Sequence, residues 1–443
     1  MIDLEKTPIP KLLLRMSPPV MLALLIQSIY NVVDSYFVSI YSQAGLTAVS
    51  LIYPIQLLMT AVATGTGAGI NILISRMDGT GEKEQQFDVV RNGFLLGVLN
   101  GLIFTVVGLL AMNGYYGISS NQAAVRAAGI AYTRIVFMFA PGLFIEANCT
   151  KMLQAKGNMM IPMAAQVVGA LVNLVLDPIF IFGMFGLPAM GTAGAAIATV
   201  IGQWLAMLMV IVGVCRMYDV RKGKLHLPLC LQIYKEGLPS IVMQSLYTLY
   251  IVGLNLILKQ LTEDAVTVLG IYYKIQAFFF IPLMGLQQVI LPIISFNYGA
   301  EQGKRIKDTL KYSIGISCAV MLVGMAVFML IPDKLVGIFS RERAVLEIGT
   351  QAFRTICCNF LPAGAAMMFV VYFQGIERRS ASIFVTVLRQ VILLVPLAWL
   401  LHFLGLGYVW LTFPLTEVIA TACCIVLYRI KPLHLPKCAP CSI

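Results

Sequence analysis

Charge is scarce in this chain. Asp, Glu, Lys and Arg make up 12% of its 443 residues, where a soluble domain carries about a quarter. That excludes an ordinary solvated surface and leaves no soluble domain of usable size. Histidine is rarer still: His226, His402 and His434 stand far apart, which excludes a paired-histidine metal enzyme and a Ser/His/Asp hydrolase. No glycine-rich phosphate-binding loop occurs, so ATP is excluded as an energy source. The ten cysteines are scattered. Cys149, Cys318, Cys357, Cys358, Cys423 and Cys424 lie inside apolar runs and read as small membrane residues, not as a disulfide frame. Cys438 and Cys441 form one CxxC with no partner pair and read as part of an unstructured tail. No cofactor and no enzymatic activity are expected.

What the chain has is apolar sequence, 59% of it hydrophobic. Runs of about 20 residues, each long enough to cross a bilayer, recur along the whole length. They fall near 13–38, 48–75, 92–113, 127–153, 161–183 and 192–215, then near 236–259, 265–296, 312–332, 346–374, 381–404 and 408–428. The expected fold is an all-α membrane protein of twelve transmembrane helices. The first residues, with Lys6, Lys11 and Arg15, lead into a run of spanning length, so no cleavable signal peptide is expected.

The net charge of +11 has a topological explanation. Arg76, Lys83 and Arg91, Lys151 and Lys156, Arg216, Arg221, Lys222 and Lys224, Lys304, Arg305, Lys307 and Lys311, and Arg378 and Arg379 all fall at the even-numbered connections. The other side holds only Arg126, Arg134, Lys259, Lys334, Arg341, Arg343 and Arg354. By the positive-inside rule both termini face the cytoplasm, at a bacterial plasma (inner) membrane. The excess of base needs no nucleic acid as a partner.

A shift of 220 residues superposes one half of the sequence on the other. Pro19 meets Pro239 (239 − 19 = 220), Tyr30 meets Tyr250, and Tyr53-Pro54-Ile55-Gln56 meets Tyr273-Lys274-Ile275-Gln276. Gly65 meets Gly285, Asp88 meets Asp308, Gly129 meets Gly349, Arg134 meets Arg354 and Gln154 meets Gln374. Six spans per copy give both copies one topology, so they form two parallel-repeat six-helix bundles. The expected division is an N-lobe at 1–216, a cytoplasmic linker at 217–235, a C-lobe at 236–430 and a cytoplasmic tail at 431–443. Such a duplication points to alternating access by a transporter. A channel would show a continuous polar stripe along one axis, and none is present.

Four acids lie within the spans: Asp34, Glu146, Asp177 and Glu417. A charge at a helix centre in lipid costs at least ~2.5–3.5 kcal/mol, so each needs a partner or a task. Glu146 and Glu417 read as structural acids, paired with a base or hydrated. Asp34 and Asp177 share a depth, and each sits in a polar stripe. Gln27, Tyr30, Asn31 and Asp34 follow helical spacing. Asn173 and Asp177 are one turn apart, with Pro178 freeing a carbonyl beside them. Tyr132 and Arg134 enter from span 4 and Thr199 from span 6. Two carboxylates at one depth cannot both stay ionised: one keeps a proton, or a cation sits between them. Asp34, Asp177 and Asn173 offer hard oxygens, which suit H⁺ or Na⁺. The second half lacks the pair, since Asp34 falls on Leu254 and Asp177 on Leu397. Its polar content is Asn255, Lys259, Lys274, Arg389 and Gln390. Lys274 either snorkels to a surface, pairs with Glu417 or meets an anionic substrate.

These residues resemble the multidrug and toxic compound extrusion family over essentially the whole chain. The resemblance rests on Pro19 with Gln27-Ser28-Ile29-Tyr30-Asn31-Val32-Val33-Asp34, and on Asn173-Leu174-Val175-Leu176-Asp177-Pro178. Leu153-Gln154-Ala155-Lys156-Gly157-Asn158 and the stretch Gly191 to Thr199 are similar as well. It implies a cation site at Asp34, Asn173 and Asp177, lined by Tyr132 and by Thr199 or Thr192, and a hinge at Pro19. Acids on spans 7 and 10, present in the NorM-type branch, are missing here, which favours the DinF-like branch. The resemblance implies a monomeric antiporter that exports amphipathic or cationic small molecules against entering H⁺ or Na⁺. The runner-up is a lipid-linked or metabolite flippase of the same superfamily, which should carry a strongly basic cavity. Lys274 and Arg389 are the main candidates for one.

Overall fold

The computed structural model describes residues 4–430 together with Pro432, Leu433 and Leu435. The Cys438/Cys441 pair lies outside the described residues. Among the described residues the chain is helical, with eleven helices long and apolar enough to span a bilayer and a twelfth span made of two bent pieces. The order is α1 (Ile9–Tyr41), α2 (Gln43–Thr80), α3 (Lys83–Ser119), α4 (Ala123–Met138), α5 (Ala140–Ala155), α6 (Met160–Phe182) and α7 (Thr192–Met217). The second half runs α8 (Leu227–Lys259), α9 (Glu263–Gly299), α10 (Gly303–Leu330), α11 (Pro332–Gly337), α12 (Arg343–Ile356), α13 (Phe360–Gly375), α14 (Arg379–Val387), α15 (Leu394–His402), α16 (Leu406–Val409) and α17 (Thr412–Ile430). Expected span 4 is α4 and α5, bent by 47°. Expected span 11 is α14 and α15, joined by a π-helical turn at Leu388–Leu393.

The 220-residue repeat is written into the backbone. Ser42 caps α2 by accepting from the Gly45 amide, and Thr262, its counterpart, caps α9 by accepting from the Asp264 amide. Ser75 Oγ donates to the Ala155 carbonyl at 3.2 Å, and Ser295 Oγ to the Gly375 carbonyl at 3.4 Å. Gly81 and Gly157 turn the chain with positive φ, and the counterparts Glu301 and Glu377 do so too (φ 55° and 60°). Side chains rarely adopt that geometry, so the fold of the second copy imposes it where glycine has been lost.

The chain forms two compact units. One holds Leu22–Ile241, the other Leu4–Met21 with the described residues from Val242 onward. The breaks within α1 and α8 fall at equivalent positions (241 − 21 = 220), just past Pro19 and Pro239, so each of these helices changes units beside a proline that cannot donate its backbone hydrogen bond. The stretch 217–235, expected as a linker, is instead tied into the first unit. The Lys224 amide donates to Asp88 Oδ1 (2.6 Å), Asn92 Nδ2 to the Lys224 carbonyl (2.8 Å) and Arg91 to the Gly223 carbonyl (2.7 Å). Helix α8 already begins at Leu227. In the second unit, Arg305 donates to the Leu4 and Thr7 carbonyls (2.7 and 2.9 Å) and fastens the start of α1 there.

Two apolar clusters frame the first unit. One gathers Ile70, Leu73, Val90, Met152, Ala165, Val210 and Ile233; the other gathers Val38, Ile52, Tyr116, Phe137, Phe144, Ile181 and Ala195. Along α6 and α7 the polar positions Asn173 and Thr199 fall between the two. The second unit is filled by aromatic rings, with Tyr272, Phe328, Phe353 and Phe360 in mutual edge or stacked contact.

Candidate functional site

Asn173, Asp177 and Thr199 meet where α6 and α7 run side by side. Both helices allow this approach because Gly169 and Gly202 face each other: a Cβ on Gly169 would lie 2.8 Å from the Gly202 carbonyl oxygen. Asn173 Nδ2 then donates to Asp177 Oδ1, one turn along α6, and to Thr199 Oγ1 across the interface, both at 3.3 Å. Thr192, the alternative to Thr199, is occupied elsewhere, donating to the Ala128 carbonyl.

Helix α1 brings Asp34 to the same place, and the Asp34 and Asp177 carboxyl groups come within hydrogen-bonding reach of each other. Tyr30, one turn before Asp34, interacts electrostatically with Asp34, Asp177 and Glu146. Tyr132 on α4 is buried beside Asp34 and Tyr30, its hydroxyl accepting from Gln56 Nε2 at 3.3 Å. Three oxygens converge here without a hydrogen-bond partner: Asp34 Oδ1, Asn173 Oδ1 and Asp177 Oδ2 are buried and unsatisfied. Each such acceptor costs roughly 1–3 kcal/mol. Together they form a hard-oxygen set suited to a proton or an alkali cation. Among the described residues no group of three or more His, Cys, Asp or Glu gathers as a transition-metal site would require.

A small open cavity of about 90 Å³ adjoins this cluster within the first unit. Gln27 and Tyr30 line it from α1, Leu143 and Glu146 from α5, Gln166, Gly169, Ala170 and Asn173 from α6, and Thr199, Gly202, Gln203 and Ala206 from α7.

Several expected site residues lie elsewhere. Arg134 is exposed and off the cavity: it stands two residues from Tyr132, about 200° around the helix, so one of the pair had to face away. Asn31, at the edge of its stripe, is exposed and is not among the lining residues. Lys274 is exposed, with its Nζ 5.7 Å from the centre of the Phe339 ring. Asn255 is half-buried on α8 in the second unit. Glu417 is paired with Arg389, whose guanidinium donates to Oε1 at 2.6 and 3.1 Å, so Lys274 is not its partner. Sequence reasoning passed over Gln166 and Gln203; Glu146, expected as a structural acid paired with a base or hydrated, accepts from Thr150 Oγ1 at 2.8 Å and lines the cavity. Gln166 is two turns before Asn173 on the same face, and Gln203 one turn after Thr199; extending the helical period from the two known residues finds both.

The MatE family profile matches residues 19–179 and again 239–400, so the two matches start at Pro19 and Pro239. The chain is 25% identical over 435 residues to the multidrug export protein MepA of Staphylococcus aureus (strain NCTC 8325 / PS 47), covering 96% of this chain and 95% of MepA. It is 24% identical to an FAD transporter of Shewanella oneidensis, over 95% of this chain and 94% of that one. Among solved structures it superposes on an outward-facing multidrug resistance MATE family transporter of the MOP superfamily with a TM-score of 0.90, at 25% identity and 96% coverage of each chain.

Proposed function

This chain belongs to the MatE family of multi-pass membrane transporters, and from that premise we propose that it exports amphipathic or cationic organic compounds in exchange for an entering H⁺ or Na⁺. The observation that carries this reading is the set of three unsatisfied oxygens on Asp34, Asn173 and Asp177 beside an open cavity. With both carboxyls ionised and bare, repulsion between them separates α1 from α6 and favours an open, hydrated cavity. A proton or Na⁺ removes the repulsion, satisfies the free oxygens and lets the Asp34 segment of α1 pack inward. Pro18 and Pro19 interrupt the α1 hydrogen-bond ladder, so the helix can bend there at low cost. Inward packing reduces the cavity, expels its contents and permits the switch of access. The cation shifts this equilibrium only through its tighter binding to the packed state.

On this reading the chain works as a monomer in the bacterial plasma membrane with both termini in the cytoplasm, and it needs no cofactor beyond the coupling ion. A flippase of the same superfamily would need a basic cavity. The cavity lining holds no Lys or Arg, Arg389 is paired with Glu417, and Lys274 is exposed. Export assayed in vesicles with Asp34→Asn and Asp177→Asn tests the proposal: each should abolish gradient-driven export while the protein still inserts and folds. Normal pumping by both variants would overturn it.

A further inference from the structure

An ion taken up at Asp34 and Asp177 must still reach the cytoplasm. On the proposed orientation the cytoplasmic end of α6 is its start, Met160, and that of α5 is its end, Ala155. At about 1.5 Å per residue, Asp177 lies about 26 Å along α6 from Met160. The cavity covers part of that distance. Its lining on α6 runs from Asn173, about 20 Å from Met160, to Gln166, about 9 Å from it. Glu146 lines the same cavity from α5 and stands about 14 Å from Ala155. The space of about 90 Å³ accommodates a few water molecules, each of which needs about 10–15 Å³. Gln27, Tyr30, Gln166, Asn173, Thr199 and Gln203 offer them donors and acceptors.

Beyond Glu146 a polar series continues along α5. Thr150 Oγ1 donates to Glu146 Oε1 at 2.8 Å. Lys151, the next residue, interacts electrostatically with the Glu146 carboxylate, and its Nζ donates to Gln154 Oε1 at 2.9 Å. Just past the end of the helix Lys156 pairs with Asp78, which also accepts from Gln86 Nε2 at 3.2 Å. The Asp78 side chain is 22% exposed, so the series ends at the surface.

We propose that Glu146 carries the coupling proton between the Asp34/Asp177 pair and the cytoplasm, so that the entering ion of this chain is H⁺ and not Na⁺. This rests on the antiport reading above and supplies its ion and its exit.

A proton leaves the Asp34/Asp177 pair for cavity water, and that water gives one to the Glu146 carboxylate. The pair is then ionised again and Glu146 is neutral. Glu146 next yields its proton to water on the cytoplasmic side, and the Lys151 ammonium stabilises the carboxylate that returns. The same ammonium opposes Na⁺, which can only pass as a whole cation. A proton instead ends on Glu146 and neutralises it. Besides Lys151, the titratable groups that interact with Glu146 among the described residues are Cys149 of α5 and Tyr30 of α1. Tyr30 also interacts with Asp34 and Asp177, so it stands between the two ends of the route.

The test uses the full-length protein in proteoliposomes, with ethidium as cargo and two assays. One is accumulation driven by a pH difference. The other is ethidium self-exchange at equal pH on both sides, which alternates access with cargo bound and moves no proton. Glu146→Gln should slow pH-driven accumulation about a hundredfold, the low end of what a positioned acid–base group contributes, and slow self-exchange far less. Glu146→Asp should recover most of the driven rate. Wild-type driven transport by Glu146→Gln overturns the proposal. So does a variant that loses both activities in equal measure, because Glu146 then serves structure or cargo binding. A wild type driven by Na⁺ alone overturns the route and leaves the antiport reading intact. A wild type that self-exchanges yet ignores both gradients overturns the antiport reading itself.

Discussion

Replacing Asp177 by Asn keeps the shape of the side chain and removes its ability to carry a negative charge. Asp177 is fully buried. Its Oδ1 accepts from Asn173 Nδ2, its Oδ2 has no partner, and the Asp34 carboxyl opposite carries a second unpartnered oxygen. The introduced side chain keeps an acceptor for Asn173 and offers an amide to Asp34 Oδ1. It therefore relieves repulsion and satisfies at least one buried acceptor, a gain of roughly 1–3 kcal/mol. Thermal unfolding in detergent, without the coupling ion, should shift upward by about 1–2 kcal/mol of stability, while export falls to the level of empty vesicles. A second signature follows from linkage. A cation that binds only the native state stabilises wild type by about 2.7 kcal/mol at a hundredfold excess over its dissociation constant, and the variant should show almost none of this. A loss of stability together with activity would refute the reasoning, because Asp177 would then be a structural acid. Full transport by the variant would refute it as well.

Three further outcomes are expected. Arg389→Gln should destabilise the second unit by about 3–5 kcal/mol, since it strands Glu417, whose side chain is 12% exposed; the double variant with Glu417→Gln should recover most of the loss in a double-mutant cycle of thermal unfolding. Pro19→Ala should bind substrate nearly as wild type but turn over more slowly; spin labels at the outer ends of α1 and α6, near Tyr41 and Phe182, should then report a damped distance response to the coupling ion. Single cysteines at Gln43 and Leu187, in a background freed of the ten native cysteines, should react with impermeant reagents from outside, and one at Lys222 only from inside. Lys222 is preferable to Gly223, where a Cβ would lie 2.2 Å from the Phe87 carbonyl oxygen.

The architecture was legible because lipid imposes a coarse rule. A span needs about 20 apolar residues, and the repeat multiplies the signal. The same constant offset that aligned Pro19 with Pro239 reappears in the caps Ser42 and Thr262 and in the breaks between units. Part of the site was legible for the same reason: polar residues at helical spacing on α1 and α6 had to face one another. Angular detail was not. Tyr132 and Arg134 are close in sequence and opposite in space, and no composition argument says which one turns inward. Nor could it be read that Arg389, which lies in the π-helical turn, would pair with Glu417 while Lys274 stays exposed. That Glu146 lines a cavity could not be read either, because one wall of that cavity is made of glycine and alanine positions that carry no signal of their own. The basic stretch before α8 looked like a linker because the carboxylate and amides of α3 that bind its backbone lie more than a hundred residues earlier.

Cation-driven accumulation in proteoliposomes tests the account's central claim most directly. Ethidium is supplied outside, and a gradient of H⁺ or of Na⁺ is imposed separately, with the cation concentrated inside. For one-to-one exchange, one unit of pH difference supports about tenfold accumulation, because each unit is worth about 1.4 kcal/mol. The account expects uphill accumulation with one of the two gradients, its collapse when that gradient is dissipated, and none with Asp34→Asn. Accumulation that ignores both gradients, or that persists in the Asp34 variant, would contradict it.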